Sequence, residues 1–331
     1  MTFSNLAPIE PTEVYETYWR FAAERQDIFF RRLAGKPRPW TDDLILGEYK
    51  FTNAYRASDR VSQYLIRYVL YEGEQSPPEL FFRTVLFKTF NRIETWEALK
   101  RDLGGILYSD YDFGRYDQAL CRIVREHGQL FSGAYIMPSG TRVFRHRLKH
   151  RNCLKLLERM MKDAVPERLC DAPSLMRAFE LLRSYPLLGD FLAYQYAIDL
   201  NYSTMLDFSE MDFVVPGPGA LSGIRKCFSR LGGLTPGEVI RVVAERQNEE
   251  FATRGIQFQA LWGRPLQLID CQNLFCEVDK YARLAHPNVP GLNDRTRLKR
   301  KFSPNPEPID YWYPPKWGLN KAIGQARKQG G

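Results

Sequence analysis

Apolar residues recur along most of this chain at the spacing of an α-helix, and no other feature of the sequence constrains its fold as strongly. Between residues 11 and 33 they return near every third or fourth position, which gathers them on one helix face. Helix-starting residues precede many of these runs, as at Ser58-Asp59 and Pro77-Pro78. The predicted helices cover residues 11–33, 61–71, 80–90, 96–103, 153–163, 173–182, 189–200, 220–231, 236–254 and 266–284, with a further start at 41–43. We therefore expect an all-α fold.

Two segments depart from this pattern. Residues 133–145 contain short apolar runs on either side of a Pro-Ser-Gly turn, which predicts a short strand or hairpin. Beyond His286 the chain is rich in proline, asparagine and arginine, and it is expected to form an irregular tail held on the surface by aromatic residues. These aromatic residues are Tyr311, Trp312, Tyr313 and Trp317. The expected organisation is a helical domain over 1–285 and a tail over 286–331 that packs on it or is partly disordered.

Composition narrows the class of protein. A chain of 331 residues with 44% hydrophobic content can bury a full core, so it is not a disordered protein. The net charge of +8 favours a polyanionic partner, although many basic soluble proteins share it. The six cysteines form no C-x-x-C pair and indicate reduced thiols without a structural zinc. Neither a membrane-spanning stretch nor a secretory signal is visible, so we expect a cytosolic protein.

A Gly-Pro-Gly turn opens a basic helix at residues 217–219. Glycines let the backbone approach a phosphate, and the N–H groups at the start of a helix point toward such an anion. Arg225 and Lys226 follow on the same helix. The segment is predicted to bind phosphate.

Two basic stretches, within 142–155 and 295–301, suit a phosphodiester backbone, and a solvated surface explains either one equally well. The first includes Arg145 and Lys149. It also places His146 and His150 four residues apart, but these histidines lack the acidic partner of a metalloprotease helix, so no metal site is predicted.

Three polar clusters could carry chemistry. In the first, Asn53 could contact a base edge while Arg56 and Arg60 hold phosphate; alternatively, Asp59 caps a helix and pairs with one of these arginines. In the second, a single helix face carries an acid, an amide and an amine that could bind a zwitterion or supply a base, though a salt-bridged surface has the same spacing. Its members are Asp270, Asn273, Glu277 and Lys280.

The third cluster centres on Asp199, which lies in an otherwise apolar helix one turn after Gln195. A carboxylate in such surroundings needs a partner or a role. Asp199 is therefore either a catalytic acid or base, or a core residue that caps the following segment.

Five strings in this order resemble the α-glutamyl/putrescinyl thymine pyrophosphorylase family, also called the helical domain of 5-hydroxymethyl-deoxyuridine DNA kinases. They are KFTNAYRASDRVSQYLIR, LFKTFNRIETWEAL, FLAYQYAIDLNY, FVVPGPGALSGIRKCF and DCQNLFCEVDKYAR, within residues 15–283. The family includes amino acid:DNA transferases of bacterial viruses. It is related to the helix-hairpin-helix DNA glycosylases, which implies a two-lobed helical fold and likens residues 215–219 to their DNA-gripping hairpin.

Two departures qualify this resemblance. Residues 230–235, where such glycosylases usually keep a catalytic aspartate, contain no carboxylate, which disfavours base excision. The sequence also has no P-loop, so the kinase half of the fused family members is expected to be missing.

The resemblance implies that an amine from an amino acid or polyamine displaces pyrophosphate at the 5-methylene of a flipped 5-(pyrophosphoryloxymethyl)-deoxyuridine in double-stranded DNA. Asp199, Asp270 and Lys280 are the candidate catalytic residues, one aspartate being the general base. Substrate binding is assigned to Asn53, Arg56, Arg60, Asn273 and Glu277, and DNA binding to Gly217, Gly219, Arg225, Lys226, Arg145 and Lys149. No tightly bound cofactor or metal is expected, apart from magnesium carried with pyrophosphate, and the protein is expected to be a monomer. The alternatives are a DNA glycosylase with a displaced catalytic acid and a non-catalytic DNA-binding protein.

Overall fold

The computed structural model describes residues 8–292, 295–304 and 309–323, and most of them are helical. The helices are α1 (Glu13–Leu33), α2 (Leu44–Glu48), α3 (Arg60–Tyr64), α4 (Pro77–Phe90), α5 (Ile93–Leu103), α6 (Phe113–His127), α7 (Thr141–Phe144), α8 (Lys149–Lys162), α9 (Val165–Cys170), α10 (Leu175–Arg183), α11 (Asp190–Asn201), α12 (Pro218–Cys227), α13 (Pro236–Thr253) and α14 (Leu268–Ala285). Two short strands, β1 (Glu10–Pro11) and β2 (Phe228–Arg230), pair antiparallel. The prediction of an all-α fold is confirmed. No helix among the described residues is both long and apolar enough to span a membrane.

The chain forms two compact units. The first takes in the described residues of Met1–Asp59, Phe213–Tyr311 and Trp317–Gly331, and the second consists of Arg60–Asp212 and Trp312–Lys316. The first unit therefore contains α1, α2 and α12 to α14, and the second contains α3 to α11.

In the first unit, α14 packs against α1, α12 and α13. Helix α1 starts after Thr12, whose side chain accepts a hydrogen bond from the N–H of Val14. Its apolar face supplies aromatic rings to the core: the Tyr18 and Phe275 ring centroids are 4.6 Å apart, and those of Trp19 and Phe251 are 4.8 Å apart. Such aromatic pairs bury large apolar areas and position α14 relative to its neighbours.

In the second unit, α4 and α11 are buried on almost every side. A helix that is apolar all round belongs at the centre of its domain rather than at its surface. The two helices contact each other, and α8, α9 and α5 pack around α4. They therefore form the core of this unit.

Local structure differs from the predictions at several positions. The hairpin predicted for residues 133–145 is wrong: this segment has no strand pairing and instead contains the short helix α7. The helix predicted over 220–231 ends at Cys227, because the next residues pair with β1. Residues Leu65–Leu70 form a π-helical turn after α3.

Helix α6 was not among the predicted helices, although its ends carry ordinary signals. Asp112 caps its N-terminus by accepting from the N–H of Arg115, and Gly128 follows its last residue with a φ of 76°.

The residues beyond α14 are largely irregular. Lys301 forms an isolated bridge with Tyr49, and a 3₁₀ turn covers Pro315–Trp317. Tyr311 and Tyr313 are buried, and the guanidinium of Arg264 lies 3.8 Å from the Trp317 ring centroid. The packing of a tail over 286–331 by its aromatic residues stays a prediction. The division of the chain at residue 285 stays a prediction.

Candidate functional site

Two of the predicted polar clusters meet in the first unit. The polar face of α14 lies against the segment from Thr52 to Arg56, more than two hundred residues earlier in the chain. The Asn273 side-chain amide donates to the Thr52 hydroxyl at 2.9 Å and to the Asn53 carbonyl at 3.3 Å. The backbone N–H of Thr52 donates to Glu277 Oε2 at 3.2 Å. Folding therefore brings Asn53, Arg56 and the α14 residues into one network.

Asp270 is a buried anchor of this network. Its Oδ2 accepts from the N–H of Gln267 at 3.0 Å, which completes a capping box at the start of α14. Its Oδ1 accepts from the N–H of Arg56 at 2.8 Å. Burial raises the pKa of Asp270 to about 6, against the lowering effect of these two hydrogen bonds and of nearby arginine charges. Both oxygens are engaged by the backbone, so the geometry favours a positioning role.

Asn53 and Arg56 are also held inside this unit. The Asn53 side chain accepts from Arg25 at 3.1 Å and donates to the Ser58 carbonyl at 2.7 Å, while its N–H donates to Asp59 at 2.8 Å. The Arg56 side chain is buried, and its charge lowers the pKa of Asp270. The expected contacts of Asn53 with a base edge and of Arg56 with pyrophosphate stay predictions.

Lys280 stands at the accessible edge of the network. Its Nζ pairs with Glu277 Oε1 at 2.5 Å, and its side chain is 37% exposed, whereas that of Glu277 is 2% exposed. Burial alone would lower the pKa of Lys280, but the carboxylate of Glu277 raises it well above its usual value. Lys280 is therefore a fixed cation at neutral pH, and Glu277 positions it.

Arg60 and Asp199 belong to the second unit. Arg60 is about half exposed and lies 3.9 Å from Glu94. Asp199 on α11 pairs with Lys88 on α4 at 2.7 Å, and both side chains are almost fully buried. The Nζ of Lys88 also lies 3.7 Å from the ring centroid of Tyr135. Asp199 thus has the partner that its apolar surroundings require, and its role as a general base stays a prediction.

Gly219 of the Gly-Pro-Gly turn and Gly223, one helical turn later, have a packing role in addition to any phosphate contact. A Cβ added at Gly219 would lie 2.3 Å from the sulfur of Cys276 on α14. One turn later, a Cβ at Gly223 would lie 1.9 Å from the carbonyl oxygen of Phe275. Gly217 is the N-cap of α12 and has an ordinary φ of −77°. The close approach of α12 and α14 is therefore sufficient to require glycine at two of these positions.

The four cations predicted to bind DNA fall into different environments. Arg225 and Arg145 are exposed. Lys149 is partly buried, its Nζ lies 4.1 Å from the Phe131 ring centroid, and burial lowers its pKa. Lys226 is buried, and its Nζ lies 3.4 Å from Asp279 Oδ1 and donates to the Asp279 carbonyl at 3.1 Å. Lys226 joins α12 to α14, so this side chain does not suit a phosphate contact.

Asp117, Cys121 and His150 lie close enough together to share a metal ion. However, Arg151 donates to both oxygens of Asp117, at 2.7 and 2.8 Å, and His150 Nε2 lies 2.8 Å from one of them. A guanidinium in this position competes directly with a cation for the carboxylate. Ion pairing accounts for the cluster, and the expectation of no tightly bound metal stays a prediction.

Sequence reasoning missed several residues on which this arrangement depends. Arg25 on α1 donates to the Thr52 carbonyl at 2.9 Å, and Asp279 accepts from Ser222 at 2.7 Å. Lys88 is the partner of Asp199. The sequence signal for Lys88 is a charged residue within an apolar run, the same signal that singles out Asp199.

Residues 12–291 match the family model described as the helical domain of 5-hmdU DNA kinase. The 5-hmdU DNA kinase of Bacillus phage SP10 is 28% identical over 287 residues, which cover 81% of this chain and 45% of that protein. The chain thus spans about half the length of this curated relative. No solved structure is significantly similar to the chain.

Proposed function

Because the chain belongs to the family of 5-hmdU DNA kinase helical domains, we propose that it acts in the hypermodification of thymine-derived bases in DNA. The proposed reaction replaces the pyrophosphate of a 5-(pyrophosphoryloxymethyl)-deoxyuridine by an amine of an amino acid or polyamine. The incoming ammonium group first gives up a proton to solvent, its nitrogen then forms a C–N bond at the 5-methylene, and the C–O bond there breaks with release of pyrophosphate. The observation that carries this proposal is the polar network of α14 and residues 52–56 in a member of this family.

Lys280 and Asn273 are proposed to hold the amine substrate or the departing pyrophosphate. An ammonium group that stays protonated at neutral pH, at the partly exposed edge of a buried network, suits a carboxylate or a phosphate oxygen. Glu277 fixes the position of Lys280, and Asp270 fixes the backbone of Arg56. This preorganisation lets a charge stabilise a leaving group without reorganising during the reaction.

Duplex DNA is the proposed polymeric substrate. The 5-methylene group is reached most directly when the nucleotide leaves the base stack, so base flipping is part of the proposal. The start of α12 and the exposed Arg225 are proposed phosphate contacts, together with Arg145 and Lys149 on the second unit. Lys226 is left out of this set because Asp279 engages it.

The reaction can be tested with a duplex oligonucleotide that carries the pyrophosphorylated base. The duplex is incubated with a pool of amino acids and polyamines, digested to nucleosides and examined by mass spectrometry, while released pyrophosphate is measured separately. We expect an amine-substituted nucleoside and an equal amount of pyrophosphate. Release of a free base would indicate a glycosylase instead, and DNA binding without any product would indicate a non-catalytic binding protein.

Lys280→Gln provides the matched test of the site. It removes the cation, and we expect transfer to fall by about 100-fold while the dissociation constant for DNA changes less than about twofold. Lys100→Gln is the control, because Lys100 is 44% exposed and pairs with Glu72 at 2.9 Å. Transfer by Lys280→Gln at the level of Lys100→Gln would remove Lys280 from the site.

A further inference from the structure

The loop from Gly133 to Leu148 in the second unit presents apolar side chains to solvent. Ile136 is 66% exposed, Val143 is 48% exposed and Leu148 is 39% exposed. Single exposed apolar residues are common on protein surfaces, but three within one short loop are candidates for a binding surface.

The same loop carries exposed arginines. Arg142, Arg145 and Arg147 alternate with the apolar residues along the chain and are all exposed. Within residues 8–292, 295–304 and 309–323, none of these three guanidinium groups is paired with a carboxylate. The loop therefore combines unneutralised positive charge with accessible apolar surface.

Buried contacts hold Ile136 in its exposed position. Its neighbour Tyr135 stacks on Phe191, with ring centroids 5.9 Å apart, and lies over the Nζ of Lys88. On its other side, Met137 is 1% exposed, and its sulfur accepts from the Tyr196 hydroxyl at 3.3 Å. Because both neighbours are anchored inward, Ile136 is presented outward from a fixed backbone.

The second half of the loop is fastened by Asn152 at the start of α8. The buried Asn152 amide donates to the carbonyls of Ser139 and His146, at 2.8 and 2.9 Å, and accepts from the N–H of His146 at 3.0 Å. Gly140 has a φ of 71°, and a Cβ there would lie 2.9 Å from both Asn152 and Leu187. The loop is thus preorganised, which lowers the entropic cost of binding.

We propose that this loop is a DNA wedge: its arginines bind backbone phosphates while Ile136 inserts between base pairs where the target nucleotide has left the stack. The inference rests on the proposed function, because a flipped nucleotide leaves the gap that the side chain fills. Isoleucine is among the apolar side chains that separate base steps in DNA complexes, and arginine suits phosphate. One loop that carries both an exposed apolar side chain and exposed cations suits a duplex, whose stacked bases lie between two phosphate chains.

The test uses a duplex in which an abasic analogue replaces the target nucleotide and 2-aminopurine lies beside it. We expect Ile136→Ala to weaken binding by about fivefold, or about 1 kcal/mol, and to halve the fluorescence change of 2-aminopurine. Affinity for single-stranded DNA should stay within about twofold. Leu44→Ala is the control, since Leu44 is an 86% exposed apolar residue of the first unit, and it should change neither signal.

The arginines are tested separately through the salt dependence of duplex binding. Replacing Arg142, Arg145 and Arg147 by glutamine should reduce the slope of log affinity against log salt by about 2 to 3, since each phosphate contact contributes about 0.9. Arg246→Gln, at a side chain 59% exposed on α13, should change the slope by much less than the value of about 0.9 for one phosphate contact.

Wild-type fluorescence and affinity in Ile136→Ala would overturn the wedge. So would Ile136-dependent binding to phosphatidylserine vesicles combined with an unaltered DNA affinity, because that result assigns the loop to a membrane surface. If the wild type transfers the amine and the loop variants change neither DNA affinity nor fluorescence, only the wedge is excluded. An effect of the loop variants on DNA without any transfer product removes only the proposed reaction.

Discussion

Lys88 Nζ and Asp199 Oδ2 form a buried ion pair at 2.7 Å. Removing one partner therefore leaves the other charge buried and unpaired inside the second unit. We expect Asp199→Ala to lower the free energy of unfolding by about 3 to 5 kcal/mol. The double variant Lys88→Met/Asp199→Leu should recover most of this loss, because it leaves no unpaired charge. Urea denaturation of the two variants and of Lys88→Met measures the coupling.

The exposed pair of Lys100 and Glu72 is the control for this experiment. Lys100→Met should cost less than about 1 kcal/mol, since exposed pairs contribute little. An equally small effect of Asp199→Ala would contradict a stabilising role for the buried pair. If the double variant is stable but inactive in transfer, Asp199 or Lys88 has a catalytic role in addition.

The free energy of unfolding should depend on pH through Asp270. Burial raises its pKa to about 6, above the value near 4 of an unfolded chain. The folded state therefore binds this proton more tightly, and the stability contributed by the group is fully present below about pH 4 and falls as pH rises to about 6. Asp270→Asn should be less stable than the wild type, by about 1 to 3 kcal/mol, because the two backbone N–H groups donate to different carboxylate oxygens and one of these becomes an NH2 donor.

The difference between Asp270→Asn and the wild type should shrink as pH rises from about 4 to about 7, since only the wild type carries this titration. Urea titrations at several pH values follow the free energy of unfolding of both proteins. A difference that grows with pH would show that the folded-state pKa lies below that of the unfolded chain.

At the scale of elements, the packing of α12 on α14 depends on two glycines that meet different atoms. Gly219→Ala clashes with the side chain of Cys276, whereas Gly223→Ala clashes with the backbone of Phe275. We expect each substitution to lower the free energy of unfolding by about 1 to 3 kcal/mol or more. Adding Cys276→Ala should restore much of the stability of Gly219→Ala, and it should not rescue Gly223→Ala.

Thermal unfolding tests this prediction on the two glycine variants, on each of them combined with Cys276→Ala, and on Cys276→Ala alone. Failure of Cys276→Ala to rescue Gly219→Ala would mean that the clash at residue 219 does not limit stability. Gly219→Ala with and without Cys276→Ala also separates packing from phosphate binding. If the double variant is as stable as the wild type but still binds DNA poorly, the start of α12 contacts DNA.

At the scale of the whole molecule, the net charge of +8 leads to a prediction about DNA affinity. If the five cations proposed above each neutralise one phosphate, binding to a duplex should weaken roughly 500-fold between about 50 and 200 mM salt. Fluorescence anisotropy across this range measures the slope. Affinity that is independent of salt would exclude the phosphate backbone as a main contact.

The helical class of the chain and the positions of most helices follow from its sequence, because apolar periodicity and capping residues act over a few neighbouring positions. The shared face of Asp270, Asn273, Glu277 and Lys280 was predictable for the same reason. Local patterns were insufficient at residues 133–145, where side-chain contacts beneath the loop replace strand pairing.

Only the tertiary structure decided which charges meet. Asp270 accepts from the backbone of Arg56, Lys88 pairs with Asp199, and Lys226 is bound by Asp279, each across a long stretch of chain. Spacing cannot distinguish a glycine that approaches phosphate from one that admits a second helix, as at Gly219. Ion pairs and close packing depend on distances in space, whereas the helical repeat depends only on distance along the chain.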